Sequence, residues 1–156
     1  MQGINRWAVV ALLIAVLPAA SYAGGGKSIG KDSGIVPVHL EAIPDSDIKK
    51  VVLTADAAKR CGIVLVAIEE LQVPPKRKAS GKVTRRVIPY ASLIYTPDGG
   101  EWVYTSPSNL SFVREPVSIA YIDGDIAVLT AGPDAGVQVV TTGVAEVYGA
   151  EFGVGH

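Results

Sequence analysis

Residues 87–105 read VIPYASLIYTPDGGEWVYT, and this stretch determines the fold expected for the rest of the chain. Its centre, Thr96 to Gly100, is a strong turn signal, because proline presets one backbone dihedral and glycine accepts a positive φ. The residues before and after this turn are apolar or alternate between apolar and polar, as paired strands require. The stretch therefore predicts an antiparallel β-hairpin.

Similar signals continue outward from this hairpin. Asp123-Gly124-Asp125 and the segment from Gly132 to Gly136 predict further turns between short strands. Residues 55–61 predict one short helix, with Thr54 as its N-cap and Gly62 just after its end. The expected fold class is mainly β, a small antiparallel β-barrel or sandwich with one short helix.

Two further segments give more specific expectations. Ile63 to Ile68 is apolar at every position, which predicts a strand buried on both faces. Val137 to Thr142 predicts the last strand, and residues 144–149 predict one helical turn after it.

The N-terminus has the features of an export signal. Arg6 precedes an apolar run at 7–17. The segment ends at Ser21-Tyr22-Ala23, which puts small side chains at the −3 and −1 positions of a cleavage site after Ala23. The run falls short of the roughly 20 residues that cross a bilayer, so a retained membrane anchor is the weaker alternative. The expected organisation is a signal peptide at 1–23, a flexible linker at 24–47 and a β domain at 48–156, located in the periplasm. Within the linker, residues 35–40 could pair as an edge strand, although Pro37 limits this.

Charge and cysteine content narrow the function classes. The formal net charge is −1, and losing Arg6 with the signal peptide would make it −2, which argues against nucleic-acid binding. Cys61 is the only cysteine, so no intramolecular disulfide can form, and a small buried apolar side chain is the favoured interpretation. No catalytic, cofactor-binding or metal-ligand spacing is found around His39 or His156, and no cofactor or metal is predicted.

A basic segment follows the two prolines at 74–75. It could attract anionic lipid headgroups or an acidic partner, although solvated charges that keep a strand edge soluble are the favoured explanation. Its members are Lys76, Arg77, Lys78, Lys82, Arg85 and Arg86.

An aromatic group surrounds the Pro97 hairpin. Packing within the core and between strands explains such a group, and a contact surface is the alternative. Its members are Tyr90, Tyr95, Trp102 and Tyr104.

A set of segments in fixed order carries a family resemblance, namely 51–54, 57–60, 62–63, 87–105, 112–117, 122–125, 143–146 and 149–156. This ordered set resembles the periplasmic adaptor subunits, or membrane fusion proteins, of resistance-nodulation-division and heavy-metal efflux systems. The resemblance covers most of residues 50–156 and is limited to the C-terminal membrane-proximal region and the lead-in segment of those adaptors.

The sequence also departs from that family. In the adaptors a long insertion with a lipoyl-like domain, a helical hairpin and a β-barrel separates the lead-in from the membrane-proximal region. Here residues 80–83 run almost directly into residues 86–89, and no heptad-patterned helical pair is present. The resemblance therefore implies a stand-alone membrane-proximal domain, assembled from the segments on both sides of the missing insertion.

The function implied by this resemblance is a non-enzymatic binding module that docks on an inner-membrane efflux transporter or its adaptor. A contact with the membrane surface is a further expectation. The alternative is a soluble periplasmic carrier of a metal or small ligand, for which Cys61 and His156 are the candidate ligands. The candidate partner-binding residues are Arg114, Tyr90, Trp102, Lys76, Arg77, Arg85 and Arg86.

Overall fold

A computed structural model describes residues 36–75 and 81–153 of the chain. Four of the sequence-based expectations concern residues outside these ranges. They are the signal peptide, residues 24–35 of the linker, the Lys76 and Arg77 contacts, and the metal ligand His156.

The described residues form two antiparallel sheets, two α-helices and one 3₁₀ turn. The helices are α1 (Ala55–Arg60) and α2 (Val144–Phe152), and the 3₁₀ turn is Tyr90–Ser92. The strands are β1 (Val38–Ala42), β2 (Lys49–Leu53), β3 (Val64–Ala67), β4 (Glu69–Val73), β5 (Val83–Pro89), β6 (Ile94–Tyr95), β7 (Glu101–Ser108), β8 (Ser111–Pro116), β9 (Ser118–Asp123), β10 (Ile126–Ala131) and β11 (Gln138–Thr142).

The first sheet has the order β1-β2-β8-β7-β11-β3, with β6 also paired to β7, and the second has the order β4-β5-β10-β9. The predicted fold class is confirmed as mainly β with antiparallel sheets, and neither sheet closes on itself. The chain is therefore built as two open sheets rather than as a closed barrel.

The local signals in the sequence form the elements expected of them. In the predicted hairpin Ile94 lies opposite Trp102, and Gly99 takes a φ of 84° in the turn. The Ala57 N–H donates to Thr54 Oγ1 at 3.2 Å, which confirms Thr54 as the N-cap of α1. The turn around Gly124 is also confirmed, since Asp123 pairs with Ile126 across it.

Three apolar clusters hold the described residues together. One joins the first sheet to both helices around Tyr104, Phe112 and Val147. The second lies between the sheets, since it combines Ile88 of β5 with Val103 and Val139 of the first sheet and their neighbours. Burying a side chain of this size stabilises the fold by about 2 to 3 kcal/mol. A third, smaller cluster lies on the opposite face of the second sheet, where it includes Val87 and Val128.

The strand at Val64–Ala67 differs from its expected surroundings. Within residues 36–75 and 81–153, β3 pairs only with β11 and is the last strand of the first sheet. Val64 is 47% exposed and Leu65 is 38% exposed, so the expectation of burial on both faces is wrong. An apolar run of four residues fits an outer strand as well as a central one, and pairing order alone decides between them.

The folded region begins earlier than the expected domain, with the edge strand considered for residues 35–40 present as β1, and its last helix is longer than expected. β1 pairs with β2 from Val38 opposite Leu53 to Ala42 opposite Lys49, and it lies inside the segment assigned to the linker. Pro37 lies one residue before this pairing begins, so its missing N–H interrupts no hydrogen bond between β1 and β2. At the other end α2 reaches Phe152, about one turn beyond the expected helical turn, and Gly153 caps it with a φ of 68°.

Gly143 links β11 to α2 with a φ of 82°. We expect Gly143→Ala to lower the free energy of unfolding by about 1 kcal/mol from backbone strain. Overpacking adds about 1 kcal/mol more, because a Cβ there would overlap Ile63 Cδ1 and lie 3.1 Å from Cys61 O. Gly136→Ala is the matched control, since its φ is 87° and no atom lies within 4 Å of its Cβ position. Urea denaturation measures both variants, and equal losses would contradict the overlap.

Candidate functional site

The pairing of β7 with β8 assembles the best-defined polar cluster of the described residues. Tyr104 lies opposite Arg114, and Trp102 lies opposite Pro116 two positions along. Because strand side chains alternate between faces, Trp102, Tyr104 and Arg114 project from one face of the first sheet. Helix α2 covers this face, with Val147 packed in the same apolar cluster as Tyr104.

Arg114 and Trp102, two of the predicted contact residues, are in direct contact. The Arg114 guanidinium carbon lies 4.4 Å from the centre of a Trp102 ring and 5.1 Å from the centre of the Phe152 ring. The cation is thus held between aromatic rings from β7 and α2, an arrangement that stabilises it by cation–π attraction. Only 11% of the Arg114 side chain is exposed, so it is mainly an internal residue.

Glu151 of α2 provides the opposite charge, with a side chain that is 3% exposed. Its Oε2 atom lies 3.3 Å from Arg114 Nε and accepts a short hydrogen bond from the Tyr104 hydroxyl. Arg114 Nε has no hydrogen bond within the described residues, so its contact with Glu151 is electrostatic rather than a directed bond. Burial raises the pKa of the Tyr104 phenol far above its ordinary value, and the adjacent Glu151 raises it further.

The hairpin turn at 96–100 lies beside this cluster. Trp102 Nε1–H donates to Thr96 Oγ1 at 3.2 Å, which fixes the indole against the turn. Hydrogen bonding by Thr96 lowers the pKa of the exposed Asp98 carboxyl, and Arg114 adds a smaller electrostatic contribution. The turn therefore presents a carboxylate on the side of the cluster that faces solvent.

Tyr90 and Tyr95 are two exposed aromatic residues that we together call the tyrosine surface. They are 47% and 52% exposed. The Tyr90 N–H donates to Asp125 O at 2.8 Å, which anchors the 3₁₀ turn to the β9–β10 hairpin. Partial burial raises the pKa of Tyr95, and the electrostatic effects of Tyr90 and Glu101 raise it further. The aromatic group in the sequence is therefore divided, with Tyr104 in the core, Trp102 half-buried, and the tyrosine surface in solvent.

The two described arginines at the end of the basic segment have different environments. Arg86 Nη1 donates to Gly132 O at 2.5 Å and Pro133 O at 2.8 Å, and lies 3.3 Å from Asp134 Oδ1. Arg86 therefore fixes a turn, whereas Arg85 is exposed. Neither protects a sheet edge, because β5 lies between β4 and β10.

The predicted contact residues are thus distributed over separate places. Arg114 and Trp102 lie together, Tyr90 belongs to the tyrosine surface, and Arg85 and Arg86 lie on the second sheet. Glu151 and Phe152 complete the cluster around Arg114 but were not among the predicted site residues. Glu151 lies four positions after Val147 on the covered side of α2, where an apolar residue is the rule, and this is the signal that could have revealed it.

The remaining expectations concern metal binding and contact with a membrane. Within residues 36–75 and 81–153, no three His, Cys, Asp or Glu side chains are grouped closely enough to hold a metal ion. Cys61, one of the proposed ligands, is half-buried at the end of α1. No helix in these ranges has the length and apolar character needed to cross a membrane.

Comparison with known proteins gave no assignment, because neither the protein-family models nor the curated proteins include a match to this chain. The site is therefore interpreted from its own geometry. The cluster around Arg114 attaches α2 rigidly to β7 and β8, and this holds the hairpin turn beside it in place.

Removing the buried carboxylate tests this cluster. We expect Glu151→Gln to lower the free energy of unfolding by about 3 kcal/mol, because Arg114 then keeps a largely buried charge without its counter-ion. Glu146→Gln, an exposed change of the same kind on the same helix, is expected to stay within about 0.5 kcal/mol of the native protein.

Urea denaturation at pH 7 measures both variants. The double variant Arg114→Met with Glu151→Gln is expected to recover most of the loss, because no unpaired charge remains. Equal effects of Glu151→Gln and Glu146→Gln would show that the pair contributes nothing.

The pKa of Tyr104 also predicts a pH dependence. A tyrosine in the unfolded chain ionises near pH 10, whereas Tyr104 stays protonated in the folded protein to higher pH. Unfolding therefore releases a proton above about pH 10, and the free energy of unfolding falls as the pH rises further. Denaturation midpoints at pH 8 and pH 11 should differ less in Tyr104→Phe than in the native protein or in Tyr90→Phe. An unchanged difference in Tyr104→Phe would refute this assignment.

Proposed function

We propose that this chain is a non-enzymatic binding module of the periplasm that docks on an inner-membrane efflux transporter or on its adaptor. Two things support the proposal: the resemblance to the membrane-proximal region of adaptors, and the pairing of strands from the early part of the chain with strands from the late part. Export by residues 1–23 is part of the same proposal.

The observation that carries the proposal is the interleaving of early and late strands. β2 pairs with β8, and β3 pairs with β11, so strands from the lead-in segment lie on both sides of β7. The place where the adaptors carry their insertion, between residues 83 and 86, lies inside β5, which pairs with β4 from Glu69 opposite Val87 to Val73 opposite Val83. An adaptor domain assembled from both sides of that insertion requires this kind of pairing.

The tyrosine surface is the docking face in this proposal. Tyrosine contributes a large, rigid contact area and a hydroxyl at a low cost in conformational entropy, which makes it frequent in binding hot spots. Tyr90 is anchored through its backbone to Asp125, and Tyr95 continues directly into the turn that Trp102 supports. Two exposed aromatic side chains on a backbone fixed in this way are prepared for binding with little reorganisation.

Arg114 acts as a positioning residue in this proposal. Its side chain is mostly buried between Trp102 and Phe152, so it offers a partner little accessible area. Its effect on docking passes through the hairpin turn and the indole beside it. This differs from the direct contact expected of Arg114 on sequence grounds.

The alternative function, a carrier of a metal or small ligand, rests on different residues. Its metal form depends on Cys61 and His156, and the latter lies outside the described residues. Its small-ligand form is favoured by a groove of about 300 Å³ on the second sheet, lined by Val83, Val128 and Tyr121 among others and separate from Tyr90 and Tyr95.

Site-specific photocrosslinking tests the docking proposal. The photoreactive residue p-benzoylphenylalanine replaces Tyr90 or Tyr95 in the full chain, expressed in its host cell and irradiated in intact cells. We expect a crosslinked product whose second component is an inner-membrane transporter or its adaptor, because these two side chains lie in the interface. Mass spectrometry identifies that component.

Replacement of Leu71 provides the matched control, since this side chain is 41% exposed but belongs to β4. A Leu71 variant that gives the same product would show that the contact is unspecific. The docking proposal fails if folded Tyr90 and Tyr95 variants give no product with such a transport component.

A further inference from the structure

The second sheet is curled so that its two outer strands approach each other. β4 and β9 are the outer strands of the order β4-β5-β10-β9. The Tyr121 hydroxyl of β9 nevertheless donates to the carbonyl oxygen of Pro74, one residue after β4, at 2.7 Å. Such a bond between opposite edges requires a strongly concave sheet.

An open groove lies on this concave face. Its volume is about 300 Å³, and its walls include Val73 and Val83 at one end of the β4–β5 pair and Val128 of β10. Ile119, Ala120 and Tyr121 of β9 form the other side. This volume is at the lower end of the range for small-ligand sites, and the lining is mostly apolar, as such sites usually are.

Among the described residues, Arg85 is the only charged one that lines this groove. It alternates along β5 with Val83 and Val87, so the three project from the same face, and Val87 is buried in the apolar cluster there. Among the described residues Arg85 belongs to no ion pair, unlike its neighbour Arg86. Since β5 is a central strand, protection of a sheet edge does not explain a cation on this face.

We infer that this groove binds a small organic carboxylate, with the apolar part of the molecule on the valines and the carboxylate at Arg85. An arginine guanidinium suits this group, because its planar fork can donate two parallel hydrogen bonds to a carboxylate. The groove has room for a molecule of about ten non-hydrogen atoms. This binding is independent of docking through Tyr90 and Tyr95.

The test uses octanoate as the probe, with octanol as the uncharged molecule of the same chain length. Each is titrated into the ¹⁵N-labelled full chain, and amide shifts are followed by NMR. We expect octanoate to move the amides of Val83, Ala120 and Tyr121 and to bind roughly tenfold more tightly than octanol. In Arg85→Gln the two probes are expected to bind equally.

Two further variants complete the test. Arg60→Gln removes an exposed cation from the last turn of α1 and is expected to keep the tenfold preference for octanoate. Ala120→Phe fills the groove and is expected to abolish binding of both probes, with cooperative thermal unfolding as the check that it is folded. The inference is overturned if octanoate binds no better than octanol to the native chain, if Arg60→Gln loses the preference as Arg85→Gln does, or if the shifts map outside the groove.

Discussion

The placement of α2 depends on one register, the pairing that sets Tyr104 of β7 opposite Arg114 of β8. A carboxylate as buried as Glu151 is tolerated only where a donor and an opposite charge are already in position. The two strands supply both from adjacent sites on one face, and the rings of Trp102 and Phe152 enclose the cation. A register shifted by one residue would place Arg114 on the face opposite Tyr104, and Glu151 could then no longer have both partners.

The second sheet uses neighbouring arginines for different purposes. Arg86 donates hydrogen bonds to the backbone carbonyls of the turn at 132–133, so its guanidinium has a structural role within the protein. Arg85, one position earlier, projects from the opposite face into an apolar groove. A run of basic residues in a sequence is therefore not one feature, because in a strand its members alternate between two environments.

The parts of this fold that could be predicted from sequence are those that depend on interactions between residues close together in the chain. Thr54 caps α1, and Gly99 and Gly124 form the turns that their positions indicate, because each signal acts within a few residues. The exposure of Val64 and Leu65 could not be predicted, since it follows from β3 having β11 as its single neighbour in the part of the chain that the structure describes. The site divides in the same way. Arg114 and Trp102 are both predicted contact residues. Their contact with each other, and the role of Glu151, arise from strand register and helix packing between distant segments, which the sequence does not show.

The interleaved strand order has a consequence for how the chain folds. β2 pairs with β8, which lies about sixty residues later in the chain, and β3 pairs with β11 at a still larger sequence separation. Each pairing closes a long loop before any of the stabilisation is gained, so the entropy cost comes first. During synthesis the early strands therefore have no partner in the first sheet apart from β1. The first sheet is therefore completed only after β11 has been synthesised, and until then its unpaired apolar strands are open to association with other chains.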